Sequence, residues 1–344
     1  MNKKSAHFTF LPHFVFLTAF SALCLLLASG QAFSEPAAGK NKFADFSMVN
    51  FVPENNAQYF VYTIGEHSQS YTATRWVKPF SMNKYEITYG LWYSVKSEAE
   101  KLGYNFQNPG LAGSNGKFGE KPTEENRNQP VTMISWHDAV VWCNAISELK
   151  GKTPCYTYKE KILRDSSDSA SLDLCECDWN ADGYRLPREE EWELAARKTK
   201  NGLQRGDLAS GQSEETASPL SLEECVAWIP SNSKGTRTVG TAGNPFMPEA
   251  MPAPGSGNPN FSGLFDMSGN VMEYCWDWMD SYKDVEDGSI AAGPEYGLQR
   301  VARGGSFSSY TPFIYCGDRY SYDPNEVYNY MGFRICSSIT GENL

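Results

Sequence analysis

The chain has 344 residues, of which 41 are acidic and 30 basic, giving a formal net charge of −11. An acidic balance of this size excludes a general nucleic-acid binder, which needs a basic face against the phosphate backbone. No stretch reaches the roughly 18 consecutive apolar residues of a spanning helix, which excludes a polytopic membrane protein.

Lys3 and Lys4 precede an apolar run from Phe14 to Ala28, and small residues follow at Ala28-Ser29-Gly30 and Ala32-Phe33-Ser34. That pattern reads as an export signal over residues 1–34. The mature chain is therefore expected outside the cytoplasm, in the periplasm, secreted or at the cell surface. Ser21-Ala22-Leu23 before Cys24 fits a lipid-attachment site poorly, so a lipid anchor is not favoured. Residues 35–58 are polar and irregular and read as a flexible lead-in.

Loss of the signal limits the available chemistry. His7 and His13 leave with it, and His67 and His137 are too few for a three-histidine metal centre. Cys24 leaves too. Cys143, Cys155, Cys175, Cys177, Cys225, Cys275, Cys316 and Cys336 remain, an even set that permits disulfides without fixing their pairing. Cys175 and Cys177 have no second close pair, which argues against zinc.

In chain order, residues 59–87 alternate apolar and polar types and predict short strands. From Thr88 to Gly103 the period changes, with Leu91, Trp92, Val95, Ala99 and Leu102 on one helical face. Residues 104–129 read as a long loop. Ser135 caps a second helix carrying Trp136, Val140, Cys143 and Ile146, which Gly151 closes. A third helix follows Arg185-Leu186-Pro187, with Pro187 in its first turn and Glu189, Glu190 and Glu191 favoured there by the helix dipole. Regular periodicity fades over 201–265. The reading is a single irregular α+β domain over residues 59–340, expected as a monomer.

Several segments together resemble the formylglycine-generating-enzyme, or sulfatase-modifying-factor, family. They are Lys84-Tyr85-Glu86-Ile87-Thr88, Gln129 to Trp136, Gly183 to Pro187, Glu191 to Arg197, Gly263 to Val271, Arg303-Gly304-Gly305-Ser306-Phe307 and Gly332-Phe333-Arg334. The resemblance implies a C-type-lectin-like fold elaborated with helices and long loops. In oxidising members of the family, two cysteines follow the Arg-Gly-Gly-Ser segment. Here those positions are Ser309 and Ile314, which can neither bind copper nor activate oxygen. Cys316 is displaced from them. Neither copper nor iron is expected, and the chain reads as a non-enzyme. The family's calcium site maps onto Asp266, Gly269, Val271 and Glu273, an oxygen set suited to a structural calcium ion.

Between Arg303 and Arg334 lie six of the 19 tyrosines, and lysine is absent. Tyrosine with small polar residues is the composition of antibody loops, rigid amphipathic rings with adaptable neighbours. From Phe307 to Asn325 there is also no Lys, Glu, Gln, Met or Trp, the five residues an AAY codon cannot become when only its adenines are randomised. The chain thus resembles the variable proteins of diversity-generating retroelements, a class with a treponemal member. That resemblance implies a variable region at about 300–335. Its candidate ligand-binding positions are Ser308, Ser309, Tyr310, Phe313, Tyr315, Asp318, Tyr320, Tyr322, Tyr328 and Tyr330. Arg303, Gly304, Gly305 and Arg334 would be fixed framework, and the partner would be a protein ligand of unknown identity. The alternatives are a calcium-dependent carbohydrate-binding lectin and a divergent formylglycine-generating oxidase.

Overall fold

Helices form where a cap and an apolar stripe coincide. In the computed structural model, which describes residues 43, 46–66, 71–212, 223–244, 252–291 and 293–339, the first helix is Tyr89–Ala99. The Thr88 hydroxyl accepts from the Leu91 amide, and Tyr89, Trp92, Val95 and Ala99 are buried at helical spacing. Leu102, expected on the same face, is exposed, because the chain tightens into a 3-10 turn over Glu100–Leu102 before Gly103 at φ 85°.

The second helix, Trp136–Leu149, carries a full capping box. The Ser135 hydroxyl accepts from the Asp138 amide, and the Asp138 carboxylate accepts from the Ser135 amide at 2.9 Å. Every residue from Trp136 to Ser147 is buried, so this helix is core on all sides. Trp142 stacks on Trp92, and the Phe333 ring meets both edge-on.

After a short helix at Ser169–Leu172, the helix expected beyond Pro187 is Glu189–Arg197, starting two residues after that proline. Pro187 was expected inside the first turn, but its carbonyl accepts from the Trp276 amide and holds it against a strand.

A four-stranded sheet carries the C-terminal half. Its order is Arg319–Tyr322, Arg300–Arg303, Met272–Trp278 and Met331–Gly332, antiparallel except for the last pair. The expected strands of 59–87 are Phe60–Ile64, Ala73–Val77 and Phe80–Asn83, the first two forming an antiparallel pair.

One expectation is overturned within the lead-in of residues 35–58. Met48–Phe51 is a strand, paired residue by residue with Phe80–Asn83, whose other edge takes Cys336–Ser338. Phe51 stacks flat on Phe80 at 4.8 Å, and that burial holds a segment whose local sequence is unremarkable. Residues 1–34, and with them the export signal, lie outside the described residues. Phe43–Leu344 make one compact unit, and no described helix is long and apolar enough to cross a membrane.

Candidate functional site

The site is an excursion between two paired strands. Arg300–Arg303 leads out and Arg319–Tyr322 returns, with Arg303 opposite Arg319 and Ala302 opposite Tyr320. Gly304 and Gly305 turn the chain at φ 91° and 66°. A Cβ on Gly305 would sit 2.4 Å from the Phe313 carbonyl, so only glycine lets the two ends of the loop close up.

Arg303 fastens the base. It is fully buried, pairs with Glu193 and Glu189, and donates to the carbonyls of Cys316 at 2.8 Å and Gly317 at 3.3 Å. Further along, the Ser268 hydroxyl donates to the Ile314 carbonyl at 2.7 Å, while the Cys316 and Gly317 amides donate to Leu208 and Gly206. The return path is held as well. The carbonyls of Pro324, Tyr328 and Tyr330 accept from Trp136, Met133 and Met272.

On this fixed backbone none of the ten candidate side chains is buried. Ser308, Tyr310 and Phe313 are exposed, and Ser309, Tyr315, Asp318, Tyr320, Tyr322, Tyr328 and Tyr330 are half-exposed. They fall into groups. Tyr322, Tyr328 and Tyr330 form a cluster of mutually packed rings with centroids 5.0–6.2 Å apart. Burial, with its neighbours Tyr330 and Tyr328, pushes the Tyr322 phenol upward.

Tyr320 shares a strand face with Tyr322 by the two-residue period. Its hydroxyl donates to the Phe313 carbonyl at 3.0 Å. Phe313, Asp318 and Tyr320 border a cleft whose opposite side is Tyr71, Met279, Asp280 and Tyr282. Ser308 and Ser309 bond back to Ser306, and Tyr315 packs beside Cys225 against a small core of Ala209, Val226, Ala227, Ile229 and Ile314. The cleft residues outside the loop escape a sequence reading because they come from segments remote in the chain.

The positions where catalytic cysteines would stand are both occupied otherwise. The Ser309 hydroxyl accepts from the Ser306 amide at 3.0 Å, and Ile314 is wholly buried. Cys316 is no substitute. Its thiol lies in the core near Gln204 and the Ala196 carbonyl, is not in a disulfide, and burial pushes it up to about 12. Of the two histidines beyond residue 34, His137 is buried with Nε2 2.8 Å from Asp173, and His67 lies outside the described residues.

Comparison with known proteins decides the relationship. The sulfatase-modifying factor enzyme 1-like domain matches residues 51–339. The chain belongs to that family. Treponema denticola variable protein 1 superposes with a TM-score of 0.64 at 26% identity, over 87% of this chain and 98% of that one. CarF gives a TM-score of 0.61 at 24% identity, over 86% and 99%. In sequence, a protein named chaperone protein LppX from Paenibacillus barcinonensis is 26% identical over 75% of this chain and 80% of its own. The mouse formylglycine-generating enzyme is 26% identical over 66% of this chain, which spans 50% of that enzyme. The fold is therefore α+β, C-type-lectin-like and of the formylglycine-generating-enzyme type.

Does this sulfatase-modifying-factor domain keep the family's calcium site? Glu273 is committed elsewhere. Arg334 donates to both its oxygens at 2.6 Å, and Trp192 Nε1 donates to Oε2 at 2.7 Å. The Asp266 Oδ2 atom accepts from the Gly240 amide, while Oδ1 is buried without a hydrogen-bond partner. Burial pushes the Asp266 carboxyl up to about 6 against the lowering pull of Gly240 and Arg334. The Arg334 guanidinium thus holds both Glu273 oxygens, while Asp266 keeps one buried oxygen unbonded. Calcium needs six to eight oxygen ligands. In this arrangement Asp266, Gly269, Val271 and Glu273 frame a buried ion pair.

Proposed function

We propose that this protein is a non-catalytic ligand-binding protein, exported from the cell, whose segment 307–330 is diversified to display changing side chains to protein ligands. One observation carries the reading. All ten candidate side chains reach the surface, while the backbone beneath them is tied mostly by groups outside the candidate set, Tyr320 and Ser309 each adding one hydrogen bond. Such an arrangement lets surface residues change at little cost to the fold.

The absence of thiols at positions 309 and 314 and the likeness to a treponemal variable protein support the same reading. Serine and a buried isoleucine supply no thiolate, so the thiol-dependent oxidase chemistry of the family relatives has nowhere to start. The partner class follows from composition. Tyrosine rings with serine and aspartate between them suit protein surfaces, where each ring offers large contact area at low entropic cost.

The test is deep sequencing of the 3′ end of the gene from many cells and sister strains. Substitutions confined to adenine-templated codons between 307 and 330, with only silent changes in the flanks, are expected. A uniform sequence across that segment would overturn the reading and leave the lectin and oxidase alternatives, to be separated by a sugar array and by thiol-dependent oxygen uptake.

A further inference from the structure

The cleft beside Phe313 has a volume of about 540 Å³ and two unlike sides. One side belongs to the segment proposed to vary: Phe313, Asp318, Arg319 and Tyr320. The other, Tyr71 and the run Met279 to Tyr282, does not. Tyr71 and Phe313 are exposed at 62% and 51%, so their ring faces are open to a ligand.

The floor already shows what this chemistry accepts. Tyr282 carries the Arg319 guanidinium 4.0 Å over its ring and that of Arg75 at 5.3 Å. Both cations are spent internally. Arg319 grips the Glu189 carboxylate through Nε and Nη2 and the Asp280 carbonyl through Nη1, and Arg75 donates to the carbonyls of Thr74 and Lys283.

The rim is acidic. Asp318 is half-exposed and lies beside Tyr320. Asp280 pairs with the surface cation Lys283, an exposed contact, and its carboxylate also accepts from the Ser281 amide. An acidic ligand would meet two carboxylates here. A cation would meet those carboxylates and the negative faces of Tyr71, Phe313 and Tyr320.

We propose that this cleft seats a basic side chain, arginine or lysine, presented by the protein ligand, with Tyr71, Asp280 and Tyr282 as its fixed half and Phe313, Asp318 and Tyr320 as its changeable half. The proposal rests on the ligand-binding reading above and adds to it that part of the binding surface never varies. A ligand would be anchored by one cation in the fixed half while the loop tunes its neighbours.

The test uses the full chain labelled at methionine methyl carbons, with Met279 as reporter and its signal assigned by Met279→Leu. The probe is the peptide Gly-Arg-Gly-Arg-Gly, its lysine counterpart a second arm, and Gly-Glu-Gly-Glu-Gly and Gly-Ser-Gly-Ser-Gly the controls. A saturable shift of the Met279 methyl is expected with the basic peptides alone, weakening about tenfold in Tyr71→Ala and in Asp318→Asn and falling as salt rises. An equal shift from the acidic or neutral peptide, or an affinity unmoved in both variants, would overturn the proposal. If the basic peptides bind as described but the gene proves uniform, diversification fails and the cation site stands. If the gene varies and Met279 does not move, the cation site alone is lost.

Discussion

Arg303 and Glu193 form an ion pair in which neither side chain is exposed at all, and the Nη2 atom that meets Glu193 also donates to the Cys316 carbonyl. A buried pair is weak evidence of stability, but removing one partner leaves a charge with no solvent. Arg303→Met is therefore expected to cost about 3–5 kcal/mol in a denaturant titration. A loss under 1 kcal/mol would mean that the loop base does not depend on this guanidinium.

The opposite outcome is expected a few residues on. Tyr310 is 68% exposed and closes no buried bond through its side chain. Tyr310→Ser, and likewise Phe313→Ser, should stay within about 0.5 kcal/mol of the parent. Destabilisation by 2 kcal/mol or more would show that these rings are core, and would remove the basis for a tolerant display surface.

Gly305 sits between these extremes. Its φ of 66° disfavours a side chain, and an added Cβ meets the Phe313 carbonyl and Ile314. Gly305→Ala is expected to cost about 1–3 kcal/mol, chiefly strain. Equal thermal midpoints for the two proteins would contradict this geometry.

Glu190 makes stability depend on pH. Burial raises its carboxyl from 4.5 to about 8, with the Asp277 charge adding to the rise and Arg188 opposing it. The folded state thus holds a proton that the unfolded chain has already released, so this group's contribution is complete below pH 4.5 and is lost as pH rises through 8. Glu190→Gln should melt higher than the parent at pH 9 and gain little at pH 4.5. A gain of the same size at both values would remove Glu190 as the cause.

Calcium offers a direct check on the Glu273–Arg334 pair. Millimolar calcium or a chelator should leave the melting midpoint within about 1 °C, because a ligand stabilises only the state it binds. A rise of several degrees on adding calcium would mean that Glu273 gives up Arg334 for the ion.

Much of the fold is legible in the sequence because its determinants are local. Ser135 and Asp138 stand three residues apart and cap a helix whatever the rest of the chain does, and Thr88 acts similarly. The strand Met48–Phe51 is not legible, since its partner lies some thirty residues on and supplies the ring that buries Phe51. The helix dipole accounts for Glu189 in a first turn, yet no local signal shows that it and Glu193 are buried against arginines more than a hundred residues away. At the candidate site Tyr310 and Phe313 are exposed, which aromatic residue type alone does not foretell. The calcium reading followed the spacing from Asp266 to Glu273, and no spacing reveals that Arg334 claims Glu273 first.

The pairing of Arg300–Arg303 with Arg319–Tyr322 also limits how this surface could change over generations. Side chains alternate along a strand, so losing or gaining one residue between 306 and 318 would rotate Tyr320 and Tyr322 to the far face and bring Arg319 and Ser321 to the front. It would also pull Arg319 off Glu189 and slide the Cys316 and Gly317 carbonyls away from Arg303. If this segment is diversified as proposed, the register favours exchanging residues one for one, so its variants should differ in spelling while every copy keeps the same length.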